Sequence, residues 1–124
     1  MPKFPMKSLE EFQQLESKLG DENSQMTKYM VSRLAAVGGS GLESHTRRIL
    51  KFLITNEIAC SFNWKRRNKI AFENTRIMAI IYEAAKLNFP VSERNDLVVA
   101  NSVKDWLKYA KARLSEKKKS LNVS

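Results

Sequence analysis

Apolar residues recur every three or four positions through most of this chain, a spacing that places side chains on one face of an α-helix. The first such stripe consists of Leu9, Phe12, Leu15 and Leu19. No segment shows the strict alternation of polar and apolar residues that is typical of a half-buried β-strand. The pattern therefore predicts an all-α fold, a compact bundle of roughly five to six short-to-medium helices around one core.

Capping residues divide these stripes into separate helices. Ser8 and Glu11 have the spacing of a capping box, in which the serine hydroxyl accepts a hydrogen bond from a backbone N–H of the first turn. The predicted helix starts lie, in chain order, at Ser8, Asn23 or Ser24, Ser40 or Ser44, Thr55, Thr75 and Ser92. We expect the fourth helix to run through Phe62 and the last helix, after Ser92, to be the longest.

The two ends of the chain differ from this helical body. Residues 1–7 contain two prolines, which favour an extended leader. Residues 115–124 include three consecutive lysines and several polar residues, which predict a basic, disordered tail. Residues 8–114 are then a single helical domain.

The chain shows no set of residues typical of catalysis or metal binding. Its one histidine, His45, and its one cysteine, Cys60, have no partners at metal-ligand spacing, so we predict no metal site and no cofactor. His45 is expected to be an exposed polar residue near a helix start, and Cys60 a small buried hydrophobe. No nucleophile, base and oxyanion donors occur together. We therefore expect neither enzymatic activity nor a small-molecule substrate.

The 124 residues carry a formal net charge of +9, and two short segments hold most of it. Segment 65–76 has five cations and one acid, and segment 101–124 has seven cations and two acids. Such focused basicity is typical of proteins that bind polyanions, although a solvated surface with a basic tail would have the same composition.

The sequence also bears on location. The N-terminus lacks the apolar core of a signal peptide, and no apolar run approaches the roughly 20 residues that span a bilayer. We expect no membrane partner and an intracellular location, with the nucleus as one option.

The candidate nucleic-acid contacts are the cations of the two basic segments. They are Lys65, Arg66, Arg67, Lys69 and Arg76 in the first segment, and Lys104, Lys108, Lys111 and Arg113 in the second. Contacts with phosphates would release counterions, so binding should weaken as salt is added. Trp64 either stacks on an exposed base or fills the core, and burial is favoured. The hypothesis requires the fold to bring both segments to a common surface.

Several short motifs follow one another in an order that resembles a known family. They are Phe4-Pro5, Val37-Gly38-Gly39, Arg47-Arg48-Ile49-Leu50, Thr55-Asn56-Glu57-Ile58-Ala59, Asn63-Trp64, Lys69-x-Ala71-Phe72, Phe89-Pro90 and Trp106-Leu107-Lys108-x-Ala110-x-x-Arg113. From Phe4 to about Arg113 the chain resembles the animal family known as domain of unknown function 4806. That resemblance implies a helical domain, often at the C-terminal end of larger proteins, with no assigned activity. A fainter likeness links the chain to BEN domains, which are helical modules that bind DNA and pair with partner proteins.

Two functions stay open at this point. The first is a non-enzymatic helical module that associates with nucleic acid or chromatin through a basic loop and a basic last helix. The alternative is a protein–protein interaction or self-association domain, such as a homodimer, without nucleic-acid binding. Five methionines favour the alternative, since flexible methionine side chains adapt to partner surfaces, but they also fill gaps in cores.

Overall fold

The computed structural model describes residues 3–20, 25–65 and 67–122, with side chains described up to Glu116. Seven α-helices form most of this part of the chain: α1 (Leu9–Lys18), α2 (Gln25–Ala36), α3 (Leu42–Leu53), α4 (Asn56–Ala59), α5 (Arg76–Asn88), α6 (Asp96–Lys108) and α7 (Ala110–Asn122). Two strands, β1 (Phe62–Asn63) and β2 (Ile70–Ala71), and a 3₁₀ turn, Val91–Glu93, accompany them. The predicted all-α bundle is confirmed, with more helices than the apolar stripes indicate.

Three predicted helix starts are confirmed. Each depends on a hydrogen bond between residues three positions apart, which local sequence is enough to predict. In each, a hydroxyl accepts a bond of 3.1–3.4 Å from a backbone N–H; the pairs are Ser8–Glu11, Thr55–Ile58 and Thr75–Met78. Such caps satisfy N–H groups that the first turn leaves without helical partners. Asn23 and Ser24, the predicted start of the second helix, lie outside the described residues.

Two other predicted starts are wrong. Helix α3 begins after Gly41, and no side chain caps it. Ser92 lies in the 3₁₀ turn, and the cap of α6 is Asn95, whose Oδ1 accepts from the N–H groups of Leu97 at 2.9 Å and Val98 at 3.4 Å. An asparagine carbonyl caps a helix as well as a serine hydroxyl does, so the start moves to the asparagine.

The predicted single last helix is also wrong, because the chain divides at Tyr109 into α6 and α7. Helix α6 packs against α3, whereas α7 packs against α4, and two different partners require a change of direction. Helix α7 continues to Asn122, so its backbone is helical in much of segment 115–124, where the sequence predicts a disordered tail. Residues 110–122 contain no glycine or proline that would end a helix.

The two strands were not predicted, since two residues are too few to show alternation. They pair in parallel, with Phe62 opposite Ile70 and Asn63 opposite Ala71. Phe62 therefore belongs to β1 rather than to the end of α4. The N–H of Phe72 donates to the carbonyl of Asn63 at 2.8 Å, and the N–H of Glu73 donates to that of Trp64 at 3.0 Å. These bonds close the chain into a loop between the strands.

Aromatic rings fill the core beneath this loop. The ring centroids of Phe12 and Phe62 lie 4.7 Å apart, and those of Phe62 and Phe72 lie 5.4 Å apart in an edge-to-face arrangement. The N-terminal leader joins the same core through Met6, which is completely buried. Its backbone N–H donates to the Leu53 carbonyl at 2.8 Å. The strands that flank the loop are therefore anchored to the buried core through Phe62 and Phe72.

His45 lies in the interior of the protein, so the prediction of an exposed histidine is wrong. Only 1% of its surface is exposed, and its Nε2 donates to the Leu34 carbonyl at 3.1 Å. The turn between α2 and α3 is tight enough to cause this burial, because the backbone of His45 lies against Gly39. Cys60 is half-buried at the edge of the core, where the sequence predicts a buried side chain.

Candidate nucleic-acid interface

The basic loop, residues 65–69, belongs to the connection between β1 and β2. Lys65, Arg67 and Lys69 are exposed, and Arg66 lies outside the described residues. Within the described part of the chain, ion pairs form between Glu43 and Arg47 and between Glu83 and Lys86, so neither includes a loop cation. The described loop cations are therefore in water and without acidic partners among those residues.

Trp64 joins this loop to α6. The ring is half-buried and packs against the core, and the Nζ of Lys104 lies 5.8 Å from its centroid. A lysine ammonium over an indole face is attracted by the negative potential of the ring. The contact places a cation of the second basic segment beside Trp64, the residue that precedes the basic loop.

Lys108 follows Lys104 by four residues, so the two side chains share one flank of α6. Its Nζ lies 5.5 Å from the centroid of Tyr109. Lys111 is exposed in the first turn of α7. We define the α6 flank as Lys104 and Lys108, and this flank together with the basic loop forms the candidate interface.

Arg76 is held elsewhere, at the start of α5. Its Nη1 donates to the backbone carbonyl of Glu16 in α1 at 2.8 Å, and its backbone N–H donates to the Glu16 carboxylate at 3.0 Å. The side chain thus links α5 to α1. Although exposed, it is oriented by α1 and not by the basic loop.

Arg113 packs against the protein instead of extending into solvent. Its guanidinium carbon lies 4.0 Å from the ring centroid of Trp106, and its Nε donates to Asn56 Oδ1 at 3.0 Å. Burial lowers the pKa of Arg113 below its usual value, since the charged form loses hydration, and the nearby Cys60 thiol opposes this to a smaller extent.

The eight predicted contacts that the structure describes therefore fall into distinct groups, and Arg66 is the ninth. Lys104 lies over Trp64, the residue that precedes the loop carrying Lys65, Arg67 and Lys69. Lys108 shares the flank of α6 with Lys104. Ser102 and Trp106 of α6 line the same groove as Arg113. Both are two residues from Lys104, which is about half a helical turn, so Arg113 and Lys104 lie on opposite sides of α6. Arg76 lies beside α1, apart from both of these groups, and Lys111 lies on α7.

Sequence reasoning missed a second group of cations. Arg47, Arg48 and Lys51 of α3 line a groove against α6, and Arg113 lines the same groove. The signal in the sequence is their spacing, which places all three on the polar face of α3. Their approach to Arg113 depends on how α3 packs against α6.

Other kinds of site find no support in the described residues. No three His, Cys, Asp or Glu side chains described in the structure are grouped so that they would hold a metal ion. Among the described helices, none has the length and apolar character needed to cross a membrane.

Comparison with protein families gives one match, to the family described as Domain of unknown function (DUF4806), over residues 2–84. This segment covers most of the chain. The chain belongs to the DUF4806 family. The predicted family is thus confirmed, and the matched segment contains the basic loop and α1 to α4. Searches of the curated proteins and of the solved structures return no significant match.

The match ends before α6, which supplies the cationic flank of the candidate interface. The Phe89-Pro90 motif and the Trp106-to-Arg113 motif lie beyond the matched residues. The likeness to BEN domains is not confirmed. Membership of this family assigns no activity, so the function has to be argued from the geometry.

Proposed function

We propose that this domain associates with nucleic acid through the basic loop and the α6 flank. The single observation that carries the proposal is the contact between Lys104 and Trp64. It supports the idea that cations distant in sequence act on one ligand, since the ammonium of α6 lies beside the residue that precedes the loop. A nuclear or chromatin-associated role would follow from such binding.

The chemistry of this surface favours the phosphate backbone over base edges. Lys65, Arg67 and Lys69 are exposed, and no carboxylate of a described residue lies within ion-pair distance of them, so they are free to pair with a phosphate. Roughly five contacts, counting the two lysines of α6, would give a log–log salt slope of about −4 to −5. Exposed cations that contact phosphates provide little base discrimination. We therefore expect sequence-tolerant binding with strong salt dependence.

The test removes the loop charges without disturbing the core. Replacing Lys65, Arg67 and Lys69 by Gln should weaken binding to a duplex or single-stranded oligonucleotide by about tenfold or more at low salt. The thermal midpoint should stay nearly constant, because exposed cations contribute little to stability. Fluorescence anisotropy and a thermal melt measure the two quantities.

A matched control removes the same charge from the N-terminal leader, α1 and α2. Lys7, Lys18 and Lys28 are all exposed, and their replacement by Gln leaves the basic loop unchanged. We expect less than about threefold loss of affinity from this control, since only the long-range attraction is reduced. Equal affinities for the loop variant and the original protein would exclude the basic loop as the contact surface.

One observation favours the alternative, a protein interaction module. Leu87, Val91 and Leu97 are exposed by 64, 76 and 64% around the connection between α5 and α6. Exposed apolar residues of this size are used in protein contacts, although single ones are common on ordinary surfaces. A molecular mass that rises with concentration and ignores salt, measured by sedimentation, would favour this function over nucleic-acid binding.

A further inference from the structure

A groove of about 570 Å³ lies between α3 and α6, on the side of α6 away from Lys104. Its volume is within the range of about 300–1,000 Å³ found for small-molecule sites in proteins. Four cations line it: Arg47, Arg48 and Lys51 from α3, and Arg113 from α7. None of these four cations belongs to the proposed nucleic-acid surface, although Tyr109 lies at the border of both places, and the groove does not depend on that function.

The acidic side chains of the groove do not balance these cations. Glu43 and Asp105 line it as well, so two positive charges remain in excess. Glu43 lies 3.8 Å from Arg47, which leaves Arg48, Lys51 and Arg113 without an ion pair among the described residues. A small space with uncompensated positive charge attracts an anion of matching valence.

Arg113 is the best-positioned of these cations. Trp106 supports one face of its guanidinium, and Asn56 fixes its Nε, so the orientation of the group is determined before any ligand arrives. Its Nη2 is buried and makes no hydrogen bond to any described residue. A partly dehydrated guanidinium without a carboxylate partner is unfavourable, and a nearby anion would relieve this cost.

We propose that the groove binds a small phosphorylated molecule, with Arg48, Lys51 and Arg113 surrounding its phosphate group. A phosphate ester carries nearly two negative charges at neutral pH, which matches the two excess positive charges, whereas one carboxylate would compensate only one. Arginine guanidinium groups also fit phosphate oxygens in pairs.

The surroundings favour a small ligand over a long polyanion. Glu43 and Asp105 would repel phosphates placed further along an extended strand, but they leave room for a single phosphate group. Asn101 and the exposed ring of Tyr109 also line the groove and provide hydrogen bonds and an aromatic surface for the organic part of the ligand. The structure assigns binding alone to this site, and no reaction.

The test compares AMP with adenosine, which lacks the phosphate, by NMR titration of the full chain at low salt. AMP should shift amide signals of α3 and α6, and adenosine at the same concentration should not. Replacing Arg48 and Lys51 by Gln should weaken AMP binding by about tenfold, since both side chains are exposed and their charges act directly on the phosphate. A control with Lys18 and Lys28 replaced by Gln should retain the original affinity.

Several outcomes would overturn the groove site. AMP shifts confined to residues 65–69, equal binding of adenosine, or no effect of the Arg48→Gln and Lys51→Gln substitutions would each contradict it. The basic-loop variant separates the two proposals, because it should lose oligonucleotide binding and keep AMP binding. Arg113→Lys provides a second check, since it keeps the charge but loses the planar fork and should also weaken AMP binding.

Discussion

Two glycines in the turn before α3 differ in how much space surrounds them. A Cβ added to Gly39 would lie 2.6 Å from the backbone nitrogen of His45 and 2.7 Å from its Cα. A Cβ added to Gly41 would meet no atom within 4 Å. The backbone atoms beside Gly39 cannot move without displacing the start of α3, so this single position determines how closely α3 follows α2.

We predict that Gly39→Ala lowers the free energy of unfolding by about 2–4 kcal/mol, because the clash forces α3 and the buried His45 away from α2. Gly41→Ala is the matched control and should change it by less than about 1 kcal/mol. Its weaker capping is offset by the reduced freedom of the unfolded chain. Urea denaturation monitored by circular dichroism measures both. Similar losses in the two variants would show that the turn tolerates a side chain at Gly39.

At the residue scale, the sequence predicts what depends on near neighbours. Ser8, Thr55 and Thr75 cap their helices through bonds to residues three positions away, so their roles follow from local spacing. The partner of His45 is the carbonyl of Leu34, eleven positions earlier, which becomes a neighbour only because of the tight turn. The residues next to His45 in the sequence therefore do not indicate that its side chain is buried.

The start of helix α5 is stabilised by a residue from a different helix. The carboxylate of Glu16 in α1 accepts from the backbone N–H groups of Arg76 at 3.0 Å and Ile77 at 2.8 Å, and Thr75 caps the next one. A negative charge at a helix N-terminus also interacts favourably with the helix dipole. Glu16 thus joins α1 to α5 through the N–H groups that α5 cannot satisfy itself.

Glu16→Ala should lower the free energy of unfolding by about 2 kcal/mol, because two N–H groups lose their acceptor and the helix dipole loses its charge. Glu16→Gln should cause a smaller loss, since its amide oxygen still accepts one hydrogen bond. Gln14→Ala, an exposed change in the same helix, is the control. If Glu16→Ala and Gln14→Ala have the same thermal midpoint, the bonds to α5 contribute nothing measurable.

At the scale of elements, apolar periodicity predicts the helices themselves but not where long ones divide. The stripe from Val99 to Ala110 continues without interruption in the sequence, yet the chain turns at Tyr109 because α7 packs on α4. The parallel pairing of Phe62 with Ile70 escapes prediction for a similar reason. Both features depend on packing partners that are distant along the chain.

At the scale of the whole molecule, the sequence predicts how much charge each segment carries but not which direction it faces. Lys104 and Arg113 belong to the same basic segment, and one lies over Trp64 while the other lies over Trp106. The side of α6 beside which each cation lies depends on the break at Tyr109 and on the packing of α3. The basic loop was therefore predictable as a cationic segment, whereas the groove was not.

Helix α6 is part of the core although the family match ends at residue 84. Val99, Val103 and Trp106 are buried, and α6 packs against α3. Large apolar side chains contribute about 1.5–3 kcal/mol each when fully buried. The apolar face of α6 therefore contributes an amount comparable to the total stability of a small domain, about 5–15 kcal/mol.

We predict that a chain ending at residue 88, which contains the whole matched segment, will not fold cooperatively, because the part of α3 that packs against α6 would lie in water. A chain ending at residue 116 should keep a thermal midpoint close to that of the full protein, since every described core residue lies at or before Ala110. Thermal melts followed by circular dichroism, with amide NMR dispersion, distinguish a folded from a collapsed state. A sharp melting transition in the chain ending at residue 88 would mean that the family segment is an independent domain to which α6 is only attached. The absence of a sharp transition would make α6 an essential part of the fold. Its buried face would then hold both the cationic flank and the wall of the groove in place.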